Sequence, residues 1–165
     1  MMELIKVGNG TNKYPGNFTK KKLKIIKENL TGMTLHLFSG KSEIGETRVD
    51  YVHGNVKMDV FYYLENSTAL HLFKTVIIDA PYNKRFAEKY QKLGNTSKQF
   101  IIFANVPQTR QLFNLLEEKV KPEIIILKSW NYYVPANYQL KKLFLCYAGG
   151  YRKLTVLEIL ERKEI

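Results

Sequence analysis

The sequence predicts an α/β sandwich whose sheet is mostly parallel, with an antiparallel C-terminal hairpin, and three observations predict it. Uninterrupted runs of β-branched and apolar residues at Thr75–Ile78, Gln99–Ala104 and Glu123–Lys128 lack polar alternation, as strands covered on both faces do. Stretches with apolar residues at helical spacing lie between such runs, which is the order of a parallel sheet with crossover helices. Finally, Leu140–Tyr147 and Leu154–Leu160 flank Ala148-Gly149-Gly150 and read as a hairpin closing the sheet.

A chain of 165 residues is expected to form one domain, 1–165, with 1–33 as a lead-in and first helix. No run reaches the about 18 apolar residues that a membrane span needs, so no membrane partner is expected. The start, Met1–Gly10, lacks the basic-then-apolar pattern of a secretory leader, and Cys146 has no second cysteine to pair with. A cytoplasmic setting is the expectation. The formal net charge is +11, from 26 Lys and Arg against 15 Asp and Glu. Nucleic acid is the partner such a balance favours, because each phosphate neutralised releases counterions. A lysine-rich solvated surface is the alternative.

In chain order, Met1–Phe18 is broken by Gly8, Gly10, Pro15 and Gly16 and reads as an extended or looped lead-in, with Lys13–Phe18 placed to cover a ligand. Thr19–Leu30 carries Leu23, Ile26 and Leu30 at helical spacing, a cap at Thr19 or Asn17, and Gly32 past its end. Its other face, with Lys20, Lys21, Lys24 and Lys27, is read as the solvated side in preference to a phosphate ridge. Thr34–Phe38 is a strand running into a glycine turn, Ser39–Gly45, that precedes a helical turn. Strand candidates Thr47–Val52 and Asn55–Tyr63 follow, placing Asp50 near the end of one and Asp59 in the middle of the other. Lys84–Leu93 reads as a basic helix stopped by Gly94-Asn95. The strand Gln99–Ala104 then leads to a helix from Pro107 to Val120, and Pro122 ends it. The loops after Phe38, Asp50, Asp79 and Ala104 are expected on one rim.

The stretch Thr75–Asn83 stands out because its buried run delivers Asp79, Pro81 and Tyr82 to the strand's carboxyl end, where open α/β sheets bind ligands. Taken with Leu35–Gly45 and the two acids, this ordered set resembles the class I S-adenosylmethionine-dependent methyltransferases, in particular the nucleic-acid amino-methyltransferases with an (Asp/Asn)-Pro-Pro-Tyr motif. The resemblance covers roughly Thr34–Leu160, with the cofactor loop first and the catalytic loop second. The family's loop is usually Leu-Asp-Leu-Phe-x-Gly-x-Gly with a further glycine; Gly40 and Gly45 match, while His36 stands for the acid and Ser42 for the second glycine. Asp79-Ala80-Pro81-Tyr82 matches the catalytic motif except at Ala80.

The resemblance implies a Rossmann-like three-layer α/β/α sandwich and S-adenosyl-L-methionine as cofactor. Phe38, Ser39, Gly40, Lys41, Gly45, Asp50, Asp59, Val60 and Asp79 would be its binding residues, with Asp50 at the ribose and Asp59 at the adenine amino group. Asp79, Ala80, Pro81 and Tyr82 would be catalytic. An exocyclic base amine is a weak nucleophile because its lone pair is delocalised into the ring. The Asp79 carboxylate and the Ala80 carbonyl can each accept one of its N–H bonds and draw the nitrogen toward tetrahedral geometry. Tyr82 can stack on an extruded base. Tyr82, Asn83, Lys84, Arg85, Trp130 and Tyr132 are the substrate-binding candidates. Tyr133 and Tyr138, together with Lys141, Lys142, Arg152 and Lys153, are expected near Trp130, where interleaved aromatic and basic residues suit stacking and phosphate contact.

The expected reaction is therefore methylation of a base amine, adenine N6 in DNA ahead of RNA, with a homodimer left open. Methylation of RNA or of a protein side chain, and an inert methyltransferase-like module that binds nucleic acid, are the alternatives. Cys146 reads as core packing and not as a nucleophile. His36, His53 and His71 have no metal-ligand spacing, so no metal is expected.

Overall fold

Two of the buried runs, Thr75–Ile78 and Glu123–Lys128, supply the middle strands of a single sheet. The computed structural model describes residues 2–7, 18–92, 100–147 and 154–164. Its strands are β1 (Met2–Lys6), β2 (Met33–Leu37), β3 (Thr47–Asp50), β4 (Val56–Lys57), β5 (Phe73–Ile78), β6 (Ile124–Ser129), β7 (Tyr138–Tyr147) and β8 (Thr155–Arg162). They lie in the order β1-β7-β8-β6-β5-β2-β3-β4. β2, β3, β4, β5 and β6 are mutually parallel, and β8 runs antiparallel to both β6 and β7. The chain is thus α/β, with a mostly parallel sheet and an antiparallel hairpin.

Side chains of β5 and β6 alternate between two apolar clusters, which is why these runs show no polar alternation. Val76, Ile78, Ile125 and Leu127 face one cluster, joined by Leu64 of α2 (Val60–Asn66) and by Leu112 and Phe113 of α4 (Val106–Leu115). Ile77, Ile124 and Ile126 face the other, joined by Ile26 of α1 (Lys20–Lys27). Each such buried aliphatic side chain contributes about 1.5–3 kcal/mol. Thr19 caps α1 by accepting from the Lys22 N–H at 3.4 Å, so the expected first helix forms where its cap and spacing place it. The basic helix is α3 (Lys84–Lys92); its expected stop at Gly94-Asn95 lies outside the described residues.

Five expectations are corrected. Part of the lead-in is a strand: β1 pairs in parallel with β7, so the hairpin is flanked by β1 and is not the sheet's edge. The segment after Gly40 contains no helical turn; it runs as a loop that buries Ile44 beneath α1. Asn55–Tyr63 is not one strand, because Asp59 accepts from the Phe61 and Tyr62 N–H groups and starts α2. Gln99–Ala104 does not pair in the sheet over its described part. The Ile102 N–H donates to the Pro81 carbonyl at 3.0 Å, and Ala104 and Asn105 turn back onto the Ile101 carbonyl. The helix expected from Pro107 to Val120 changes pitch, passing from α4 into a π-helical turn over Leu116–Val120 before Lys121 at φ 53°.

The connection from β3 to β4 is shorter than a helical crossover, and Gly54 is what permits it. A Cβ on Gly54 would lie 2.1 Å from the Arg48 carbonyl oxygen and 2.8 Å from the Asp50 nitrogen, so the loop presses its backbone on β3. At the far rim, where β6 begins, Arg162 donates to both Glu117 carboxylate oxygens, at 3.1 and 2.7 Å, to the Tyr138 hydroxyl at 2.9 Å and to the Pro122 carbonyl at 3.2 Å.

Candidate active site at the switch point

Between β2 and β5 the sheet order reverses, and a doubly wound sheet offers its crevice outside the carboxyl ends of those strands. Two loops leave there. One is Phe38–Gly40, following β2; the other is Asp79–Asn83, following β5. The Asp79 N–H donates to the Leu37 carbonyl at 3.2 Å, so the ladder carries Asp79 beyond the last β5 residue before Pro81 removes the next donor.

Asp50 ties the first loop in place. Its Oδ2 accepts from the Gly40 N–H at 3.1 Å, and its Oδ1 accepts from the Val52 and His53 N–H groups, both at 2.9 Å. The carboxylate expected at a ribose therefore holds backbone, and it does so at the rim. Ser39 and Gly40 are buried and Lys41 is exposed. Ser39 Oγ has no hydrogen-bond partner among the described residues. Phe38 has φ 57° and stacks on Phe100, centroids 5.3 Å apart, while Phe61 meets Phe100 edge-on at 5.4 Å. Val60 packs in the same cluster, next to Asp59, whose Oδ1 caps α2. Gly45 is brought elsewhere. A Cβ there would sit 3.1 Å from the Thr34 carbonyl, back along β2, so this glycine serves close packing.

Asp79 is buried and forms an ion pair with Lys128, Nζ to Oδ1 2.7 Å, with side-chain exposures of 8% and 3%. Burial pushes the Asp79 carboxyl up, and the Lys128 charge beside it opposes that shift. Lys22, from α1, is also buried and donates to Thr155 Oγ1 at 2.8 Å. Burial first, and the Lys128 charge second, bring its ammonium down to about 8. Phe18 roofs this corner: its ring lies 4.9 Å from Lys128 Nζ and stacks on His36 at 5.8 Å. His36 is fully buried, its Nδ1 lies 3.2 Å from the Ile44 carbonyl, and its Nε2 has no partner among the described residues. Burial drives its pKa down to about 3, so the ring is neutral.

Of the catalytic-loop residues, Ala80 is buried in the core, and the Pro81 carbonyl is taken by the Ile102 N–H. Tyr82 is half-buried, with its centroid 5.0 Å from that of Trp130 and its ring 5.8 Å from Lys128 Nζ. Asn83 is half-buried at the start of α3, where its carbonyl accepts from Ala87, and Lys84 and Arg85 are exposed on the first turn of that helix. Tyr132 is exposed beyond β6, and Tyr133 packs on Phe103 and Phe113.

Tyr138, Lys141 and Lys142 are not near Trp130. They begin β7 at the opposite rim, where Tyr138 donates to the Pro122 carbonyl, Lys141 pairs with Glu161 and Lys142 donates to Asn29. β7 runs parallel to β6, and that direction places its first residues beside the start of β6. Arg152 and Lys153 lie outside the described residues. Cys146 is buried between β1 and β8, with its thiol pushed up by burial. Among the described residues no group of three or more His, Cys, Asp or Glu side chains is arranged to hold a metal ion, and no helix is long and apolar enough to cross a membrane.

Sequence reasoning missed Lys128, Lys22 and Glu158. Glu158 of β8 is fully buried and accepts from the Tyr133 N–H at 3.2 Å; burial raises its carboxyl to about 8. A charged residue inside an otherwise apolar run was the available signal for Lys128 and Glu158. A comparison with protein-family models gives no match, and neither does one with curated proteins.

Proposed function

We propose that this chain is an S-adenosylmethionine-dependent methyltransferase with a Rossmann-like three-layer architecture, acting on an exocyclic base amine, adenine N6 in DNA. One observation carries the reading: Asp79-Ala80-Pro81-Tyr82 opens at the sheet's switch point, directly beside the Gly40 loop that Asp50 fastens. The strand order β4-β3-β2-β5-β6 supports the architecture, being the doubly wound order with helices contributing to both faces.

The residues present fit the cofactor at its loop. Ser39 Oγ is a buried hydroxyl without a partner among the described residues, and Phe38, Phe61 and Phe100 supply aromatic surface beside Val60. When bound, the cofactor supplies an electrophilic methyl group on a sulfonium. The chain's own part is to orient the acceptor. Asp79 accepts one amine N–H, and the Ala80 carbonyl accepts the other, which frees the nitrogen lone pair to attack. Tyr82, braced by Trp130, offers a face for the extruded base. Lys84 and Arg85 on the same rim provide positive charge for the backbone phosphates.

A second reading, a nucleic-acid-binding module without methyl transfer, is favoured by the commitment of Asp50 and Asp59 to backbone N–H groups. Calorimetric titration with S-adenosylmethionine, followed by tritiated methyl transfer to DNA, RNA and protein, separates the two. The methyltransferase reading expects cofactor binding and N6-methyladenine in digested DNA. Cofactor that does not bind even at millimolar concentration favours the module.

A further inference from the structure

We propose that Lys128 is a positioning residue of this site: its ammonium holds the Asp79 carboxylate charged through one oxygen and turns the other toward the acceptor amine. The inference rests on the methyl-transfer reading. β5 and β6 are in parallel register through Ile78 opposite Leu127, so the next step brings Asp79 beside Lys128 on the face that α1 covers. At 2.7 Å the contact is a charge-assisted hydrogen bond, and both side chains are shut off from water. The Phe18 and Tyr82 rings flank the ammonium at 4.9 and 5.8 Å, and they fix its place by cation–π attraction.

The arrangement answers a chemical requirement. To draw an amine nitrogen toward tetrahedral geometry, the acid must accept an N–H bond, and a carboxylate does this with either oxygen. A buried carboxyl with no cation beside it takes up a proton and becomes a donor at the position where an acceptor is needed. The charged and titratable groups around the pair are Lys22 of α1, Asp50 of β3, Tyr82 of the loop, His36 of β2 and, beside Lys22, Cys146 of β7. Of these, Lys128 donates to Asp79, and Lys22 is turned to Thr155.

The test compares infrared spectra of wild type, Lys128→Met and Lys128→Arg near neutral pH, with Asp79→Asn as the blank, and measures methyl transfer against pH for each. Subtracting the blank is necessary because Glu158 also gives a protonated-carboxyl band. The expected result is no protonated Asp79 band in wild type or Lys128→Arg, and a clear one in Lys128→Met. The acid limb of the Lys128→Met rate profile should move upward by at least a unit, about a tenfold loss or more at pH values below both limbs, with Lys128→Arg restoring most of it. A protonated Asp79 in wild type, or an unmoved profile in Lys128→Met, overturns the proposal. Should Lys128→Met fail to fold, the wild-type spectrum and the Lys128→Arg profile decide. Absence of transfer by wild type to any acceptor overturns the methyl-transfer reading and the role toward an amine with it, while the spectra still show whether Lys128 holds Asp79 charged.

Discussion

At the rim where β6 begins, Arg162 and Glu117 meet in a two-bond fork and Arg162 also reaches Tyr138 and Pro122; at the rim where β6 ends, Lys128 and Asp79 share a single bond in a buried corner. The first pair is half-open, with side-chain exposures of 22% and 35%, and the Arg162 hydrogen bond holds Glu117 below the usual carboxylate range. Its groups are well partnered and it clasps β8 to the π-helical turn that follows α4. Around the second pair, burial pushes Asp79 up and Lys22 and His36 down, and Ser39 Oγ and His36 Nε2 lack partners among the described residues. Buried polar groups left short of partners destabilise a fold, and perturbed groups gathered in a crevice mark a site. The difference teaches that one rim satisfies its charged groups with partners, while the other gathers perturbed and under-partnered groups at the place where the proposed methyl transfer would sit.

The largest effect should come from removing the acceptor. Asp79→Ala removes both carboxylate oxygens, and methyl transfer should fall by about 10²–10³-fold, measured as incorporated label. Next is acid sensitivity. The folded chain holds His36 with a pKa near 3, so the unfolded chain binds a proton that the folded chain refuses. The resulting stability is full above the ordinary histidine pKa and is lost as pH falls toward about 3. By about pH 4 the loss should be on the order of 3 kcal/mol, seen in urea unfolding at a series of pH values. His36→Phe should flatten that slope.

A smaller effect is expected at Gly54. Gly54→Ala drives a methyl group into the Arg48 carbonyl, and the β3–β4 loop must move, taking with it the N–H groups that hold Asp50. A loss of about 2 kcal/mol with weakened cofactor binding is the expected pair of readouts. The smallest effect belongs to the stable rim. Glu117→Gln should lower stability by about 1 kcal/mol, since the pair is partly open to solvent, and leave methyl transfer unchanged.

How much of this was legible follows from what kind of interaction makes each element. The middle strands were readable because Thr75–Ile78 and Ile124–Lys128 are buried on both faces and nothing local competes. α1 was readable because Thr19 is a cap and Leu23, Ile26 and Leu30 share a stripe. β1 was not, because Met2–Lys6 becomes a strand only by pairing with β7, far along the chain, and leaves Met2 and Leu4 exposed. Phe100–Ala104 has strand composition, yet Pro81 and Thr109 take its N–H groups and turn it over the Asp79 loop.

The site divides in the same way. The Asp79 motif and the Gly40 turn are local patterns, and they do meet at the switch point. The partners of Asp50, Asp59 and Asp79 depend on which backbone or strand comes alongside. A carboxylate that caps a helix and one that holds a ribose look alike in a sequence. Lys128 becomes meaningful only once β5 and β6 are in register.

The most direct measurement sets wild type, Asp79→Ala and Glu117→Gln side by side for methyl transfer from S-adenosylmethionine to DNA and for unfolding free energy. The account predicts that Asp79→Ala loses transfer by about two orders of magnitude or more and remains folded, while Glu117→Gln keeps its transfer and loses only stability. Full transfer by Asp79→Ala, or loss of transfer in Glu117→Gln with the fold intact, would contradict it.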